Sequence, residues 1–245
     1  MNEWISMGLR CMMIWASAPL FAGLDPVFFE RLAYWPEVEN TLGLVSLAEN
    51  GNQSVTYQVT FQADWSADTH PEGFPGGAHF SPLIGANHHG NLILWEPGGL
   101  ATPGMESMAE TGATSLLAGE IQSAIDAETA GDLMQGAAID SPGDTDFLFQ
   151  VDRRFPRVTL VTMIAPSPDW FLGVHGLLLF EGGRWLEERT VTLYAYDAGT
   201  DSGPEYTSPN MDTQPQEPIA RLTESPFDVG GTLVPLGTFR FERVP

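Results

Sequence analysis

Regular alternation of apolar and polar residues is the feature that most constrains the fold of this chain. Residues 55–65 alternate with a period of two, which places one set of side chains on a buried face and the other in solvent. Further segments rich in β-branched and aromatic residues lie at 91–95, 146–151, 157–164, 190–196 and 237–243. No helix alternates with these segments as it would in a βαβ fold. The pattern predicts an all-β, antiparallel β-sandwich.

One segment has helical rather than strand periodicity. In residues 115–130, leucine and isoleucine recur at helical spacing and the acidic residues fall off that face. We therefore expect a short helical insertion packed on the sandwich. Segments rich in Gly, Pro, Asn and Asp, such as 197–218, predict turns and long loops. A single domain is expected over 55–245, with an N-terminal extension over 24–54.

The N-terminal segment has the features of a targeting signal. Arg10 precedes the apolar run 11–23, which suits the core of a signal peptide and is too short to span a bilayer. We predict a signal peptide over 1–23 and export to the periplasm, the cell surface or the exterior. A buried N-terminal helix is the alternative interpretation. The single cysteine, Cys11, lies in this segment, so no disulfide is expected within the chain.

The charge of the chain restricts its partners. Its 32 acidic side chains outnumber 10 basic ones, all of them arginine, and the net charge is -22. Nucleic acid is not expected to bind, because phosphate neutralisation needs a basic stripe and these arginines are scattered apart from a cluster at 153–157. Binding to an anionic membrane is disfavoured for the same reason. Divalent cations are natural counter-ions, although an acidic excess also serves solubility.

Two acidic loops provide the strongest local signal of a binding site. Asp197 and Asp201 stand four residues apart in a glycine-bearing loop that follows a predicted strand, and Asp169 follows another strand. Convergent carboxylates repel one another unless a cation lies between them. Asp169, Asp197 and Asp201 therefore predict a calcium (Ca2+) site, with the carbonyl of Tyr196 as a further ligand. The alternative is a surface turn in which Asp and Gly serve the backbone.

The same loops resemble the spondin N-terminal domain family of F-spondin-like proteins. The resemblance rests on Ala-Pro-Ser-Pro-Asp-Trp at 165–170, on Asp-Ala-Gly-Thr-Asp-Ser-Gly at 197–203 and on Ser-Pro-Asn at 208–210. Further motifs follow the family order at 61–66, 69–71, 79–85, 94–99 and 101–104. The resemblance implies a β-sandwich related to the C2 domain, with calcium bound at one end by aspartates that match Asp169, Asp197 and Asp201.

The resemblance also shapes the expected function. The chain lacks the domain cysteines of the animal proteins and any reeler or thrombospondin-type repeats, so it resembles a stand-alone bacterial exported form. We expect an exported calcium-binding module for binding or adhesion, in which calcium orders the loops. We expect no catalysis. Its partner would be a protein or glycan that the sequence does not identify.

Three alternatives remain open at this stage. The first is a carbohydrate-active or other hydrolytic enzyme on a sandwich, although no Gly-x-Ser-x-Gly motif is present. The second is a calcium-dependent, lipid-binding C2-like module, which the net charge disfavours. The third is zinc binding by histidines, whose candidates are His70, His79, His88, His89 and His175. In an extended segment the adjacent His88 and His89 would point to opposite sides and would not share one ion.

Overall fold

A computed structural model describes residues 54–245, which form antiparallel sheets and two short helices. The strands are β1 Val55–Ala63, β2 His79–Phe80, β3 Ile84–His88, β4 Ala130–Gln135, β5 Ile139–Asp140, β6 Gly143–Val151, β7 Arg157–Ala165, β8 Trp170–Leu178, β9 Phe180–Glu181, β10 Arg184–Trp185, β11 Glu188–Leu193, β12 Tyr196–Asp197, β13 Ala220–Arg221 and β14 Gly237–Val244. The helices are α1 Pro103–Thr111 and α2 Ser115–Asp126. The predicted all-β sandwich with a helical insertion is confirmed.

The first sheet has the strand order β11-β14-β1-β6. Strand β1 lies in its centre, and Val59 is opposite Phe241 on one side and Phe147 on the other. Tyr57, Val59 and Phe61 are buried in the core, while the residues between them face outward. This is the period-two pattern of the sequence, with the apolar set turned toward the second sheet.

The second sheet has the order β13-β12-β8-β7-β2-β5, and β3 pairs with both β7 and β4. Strand β7 and the first residues of β8, Trp170 to Leu172, are buried on both faces. Along β7, Leu160 and Ile164 pack toward the first sheet, whereas Val161 and Met163 join a second cluster beneath the helices. A strand covered on both faces has a continuous apolar sequence without alternation.

The two helices cover the outer face of the second sheet. Helix α1 begins after Thr102, whose hydroxyl accepts a hydrogen bond from the N–H group of Met105 at 3.2 Å, and it is capped at its C-terminus by Gly112, which has φ of 69°. Glu120 of α2 accepts a hydrogen bond from the N–H group of Gly104 at 2.7 Å and thereby joins the two helices. Residues buried below them include Met105, Met108, Leu117 and Ile121.

Several details differ from the sequence prediction. The helix predicted over 115–130 ends at Asp126, and α1 was not predicted. Residues 91–95 were predicted as a strand, but this prediction is wrong because they form an irregular segment anchored by Trp95. The Trp95 ring packs edge-on against Phe171 and Tyr196, at centroid distances of 4.9 and 5.1 Å. Burial of Trp95 therefore explains why the segment 91–95 is apolar although it is not a strand.

The predicted signal peptide at 1–23 lies outside the described residues, as does the extension over 24–54 apart from Ser54. Neither helix within residues 54–245 is long and apolar enough to cross a membrane.

Candidate metal site

Asp169 is the buried centre of the loop that joins β7 to β8. Its side chain is 0% exposed. The Oδ2 atom accepts three hydrogen bonds from the loop that follows β12: from the N–H group of Thr200 at 2.8 Å, from the hydroxyl of Thr200 at 3.2 Å, and from the N–H group of Asp201 at 3.1 Å. One carboxylate oxygen therefore joins two loops that are distant in sequence.

The other carboxylate oxygen of Asp169, Oδ1, lacks such hydrogen bonds among the described residues. Oδ1 is buried and has no hydrogen-bond partner among the described residues. Burial raises the pKa of the Asp169 carboxyl group, and the charge of Asp201 raises it further, while the hydrogen bonds from Thr200 and Asp201 oppose this rise. A buried carboxylate oxygen without a partner is costly, since desolvation is not compensated.

Asp197 reaches the same region from β12. It is opposite Trp170 in the sheet, and its Oδ1 atom accepts a hydrogen bond from the N–H group of Gly199 at 2.8 Å. Burial raises the pKa of Asp197 to about 6, and the negative charge of Asp169 is the next contribution. The two carboxylates are therefore close enough to repel each other.

Asp201 organises the loop after β12. Its side chain is 6% exposed, and its two oxygens accept hydrogen bonds from the N–H groups of Gly203 at 2.8 Å and Met211 at 3.2 Å. Its backbone also forms an isolated antiparallel bridge with Asp212. The carboxylate thus folds residues 201–211 back on themselves.

Two glycines of the segment after β12 allow close backbone approaches in this region. Gly199 has φ of +75°, and a Cβ atom there would lie 2.1 Å from the carbonyl oxygen of Glu217. A Cβ atom on Gly203 would lie 2.9 Å from Cγ of Pro168, which belongs to the Asp169 loop. A larger residue at Gly203 would force the two loops apart, and one at Gly199 would displace the backbone of Glu217.

Glu110 is an acidic residue of this region that the sequence analysis missed. It lies in α1, is partly buried, and its side chain is near Thr200. Burial raises its pKa, and the charges of Glu106, Asp201 and Asp169 add to the rise. Glu110 stands in a helix far from the other acids in sequence, so only the three-dimensional contact between α1 and the Asp201 loop reveals it.

The structure brings the predicted aspartates into one region, with Asp169 and Asp201 joined by a hydrogen bond and Asp197 coupled to Asp169 electrostatically. Within residues 54–245, however, no group of three or more His, Cys, Asp or Glu side chains is arranged ready to hold a metal. Each aspartate uses at least one oxygen to bind backbone N–H groups. Calcium binding, including the Tyr196 carbonyl as a ligand, therefore stays a prediction.

Two of the histidines proposed as zinc ligands, His70 and His88, are buried and have hydrogen-bond partners within the protein. In His70, which is 0% exposed, Nδ1 lies 3.0 Å from Thr69 Oγ1 and Nε2 lies 3.3 Å from the Val234 carbonyl oxygen. Both ring nitrogens of buried His88 also have protein partners. Burial lowers the pKa of both imidazoles, which keeps them neutral. These contacts account for the two buried histidines without a metal.

Comparison with known proteins relates this geometry to a family. The family model described as Spondin_N matches residues 55–230. The chain belongs to the spondin N-terminal family. Spondin-2 of Homo sapiens is 37% identical over 174 residues, which cover 69% of this chain and 53% of that protein. Spondin-1 of Gallus gallus is 35% identical over 269 residues, which cover 96% of this chain and 33% of that protein.

This spondin domain thus spans about half or less of the length of the curated relatives it matches. The matched region contains both acidic loops and the helices, so the aspartates and Glu110 all belong to the part of the chain that the family shares.

Proposed function

We propose that this spondin domain is an exported, calcium-binding module that recognises a partner and performs no catalysis. The observation that carries the proposal is the Oδ1 atom of Asp169, which is buried without a hydrogen-bond partner beside further acidic groups. Export rests on the predicted signal peptide and on membership of the spondin family. A partner protein or glycan is the expected ligand.

The charges around Asp169 support a hard cation. The charge of Asp169 raises the pKa of Asp197, the charge of Asp201 raises that of Asp169, and Glu110 adds negative charge from α1. Calcium binds six to eight oxygens at about 2.3–2.6 Å and accepts carboxylates, carbonyls and water in flexible geometry. When bound, calcium would neutralise these carboxylates and cross-link the two loops. Magnesium fits less well, because it demands a near-octahedral site.

The hydrogen bonds of the loops define what the residues themselves must do. Asp169 Oδ1 is free to ligate without the loss of a protein contact, whereas Asp197 and Asp201 retain lone pairs on oxygens that also hold backbone N–H groups. We therefore expect small side-chain rotations on binding and no change in the strands. The outcome is a stiffened loop surface at one end of the sandwich.

The test is thermal unfolding of chelator-treated protein with and without added calcium. A ligand that binds the folded state alone stabilises it by about 2.7 kcal/mol at 100 times its Kd. We expect calcium to raise the melting temperature more than magnesium does, and Asp201→Asn to abolish the calcium effect. If the increase persists in Asp201→Asn, the proposed ligand set is wrong.

A further inference from the structure

A cavity of about 360 Å³ is lined by His175 and Gly176 in the later part of β8. Its polar and aromatic lining comprises His88, Trp95, Glu96, Arg157, Thr159 and His175. His175 is six residues beyond Asp169, and a strand advances about 3.3 Å per residue, so these two residues lie roughly 20 Å apart. The cavity shares no lining residue with the acidic loops, although Trp95 in its wall also packs against Tyr196.

The cavity is built where two β-ladders are irregular. The pairing of β7 with β8 shifts between Val158 and Leu160, so that His175 and Gly176 stand against Thr159. The pairing of β3 with β4 shifts between Ala86 and His88. Bulges of this kind redirect side chains and are over-represented beside functional sites.

A hydrogen-bond network fixes the floor of the cavity. Thr159 Oγ1 accepts a hydrogen bond from the N–H group of Gly176 at 2.9 Å and donates one to Nε2 of His88 at 2.8 Å. The other ring nitrogen of His88 donates to the carbonyl oxygen of His89 at 2.8 Å. These partners assign a neutral His88 with its proton on Nδ1, in agreement with a pKa lowered by burial.

Arg157 supplies a positive charge that has no ion-pair partner within residues 54–245. Its Nη1 atom donates to the carbonyl oxygen of Gly176 at 2.8 Å. Among the described residues, Asp and Glu oxygens lie within 4.0 Å of four other arginines but not of this one. Gly90 admits its side chain closely, since a Cβ atom there would lie 3.3 Å from Nε. What sets Arg157 apart is that its guanidinium is held by the Gly176 carbonyl oxygen in the wall of the cavity.

The remaining lining combines an apolar wall with further polar groups. Ile93 also lines the cavity and is 60% exposed, and the ring of His175 packs edge-on against Trp95 at 4.9 Å. The indole N–H group of Trp95 is buried without an acceptor in the described part of the chain. Glu96 provides an acceptor for hydroxyl groups. The cavity is thus lined by the guanidinium of Arg157, the hydrogen-bond acceptor Glu96 and an apolar surface.

We infer that this cavity binds a single sugar ring that carries a carboxylate, such as a uronic acid. The carboxylate pairs with the Arg157 guanidinium, whose planar donors suit this group, and Glu96 accepts from ring hydroxyls. The volume is at the lower end of the range for small-ligand sites, about 300–1,000 Å³, and fits one ring. This site is independent of calcium and gives the proposed binding module a ligand class.

The test is titration of the whole chain with D-glucuronate, monitored by ¹H–¹⁵N chemical shifts, with glucose and acetate as probes that lack the carboxylate or the ring. We expect shifts confined to residues near Arg157 and His175 with glucuronate, and much smaller shifts with either probe at the same concentration. Arg157→Gln retains a donor for Gly176 but removes the charge, so we expect the affinity for glucuronate to fall about tenfold or more.

Arg184→Gln is the matched control, since Arg184 is exposed in the short β10 strand and has no carboxylate partner among the residues described. It should bind glucuronate as the unchanged protein does. The inference is overturned if glucuronate causes no localised shifts, if acetate alone reproduces them, or if Arg157→Gln binds equally well. Because the titration is repeated with chelator and with calcium, its failure would leave the calcium proposal untouched.

Discussion

Asp169 accepts two hydrogen bonds from Thr200, one from the backbone N–H group at 2.8 Å and one from the hydroxyl at 3.2 Å, across 31 residues of sequence. This contact holds the loop after β7 against the loop after β12. It also leaves the second oxygen of Asp169 without a partner. The same carboxylate is therefore both the structural link between the loops and the centre of the proposed metal site.

Removal of the Asp169 carboxylate should destabilise the metal-free domain. Asp169→Ala leaves three buried donors on Thr200 and Asp201 unpaired, so we expect the free energy of unfolding to fall by about 3–5 kcal/mol in urea denaturation with chelator. Asp228→Ala is the control, because it removes one hydrogen bond from the N–H group of Gly231 in an exposed turn. Its cost should be about 1 kcal/mol. Equal losses in the two variants would contradict the linking role of Asp169.

Asp197 should make the metal-free domain sensitive to pH. Its pKa is raised to about 6 in the folded state, so the folded protein holds this proton more tightly than the unfolded chain does. Its contribution to stability is therefore greatest at low pH and is lost as the pH rises toward 6 and above. We expect Asp197→Asn to raise the free energy of unfolding by about 1–2 kcal/mol near pH 7.5 in chelator, after allowance for solvent screening.

The same substitution should have little effect near pH 4, where the native carboxyl group is largely protonated in the folded state. Urea denaturation of both proteins across this range provides the measurement. If Asp197→Asn stabilised the domain equally at both pH values, ionisation of Asp197 would not be the cause of the lost stability.

Glu110 should strengthen cation binding without being required for it. Its carboxylate adds negative charge next to Thr200, so Glu110→Gln should lower the affinity for calcium about three- to tenfold, the effect of roughly 1 kcal/mol of Coulomb energy. Glu106→Gln neutralises an acid one turn earlier in α1 and should have a smaller effect. The comparison is made by calcium titration at constant ionic strength. If Glu110→Gln and Glu106→Gln had identical calcium affinities, Glu110 would have no specific role in the site.

The sequence predicted some strands well and others not at all. Strand β1 was predictable because one of its faces is the core and the other is solvent, which produces alternation. Strand β8 was missed because Trp170, Phe171 and Leu172 are all buried, so that neither face is polar. At residues 91–95 a strand was predicted where none exists, because Trp95 is buried by tertiary packing and not by strand pairing.

Prediction of the candidate site was similarly partial. The loops of Asp169 and Asp201 were evident from strand ends and turn residues, and the structure places them in contact. The donors from Thr200 and the approach of Glu110 depend on contacts between distant segments, which local spacing does not encode. The cavity at Arg157 was also hidden, because β-bulges create it and no local motif marks them.

Isothermal titration calorimetry of calcium into chelator-stripped domain tests the central claim most directly. We expect one saturable binding event per chain in the unchanged protein and none in Asp169→Asn, whose fold is checked by circular dichroism. Asp228→Asn, which alters an exposed turn, should retain the event. Two results would contradict a calcium site built on the free oxygen of Asp169. One is the absence of any heat of calcium binding in the unchanged protein. The other is an Asp169→Asn variant that binds calcium as tightly as the unchanged protein.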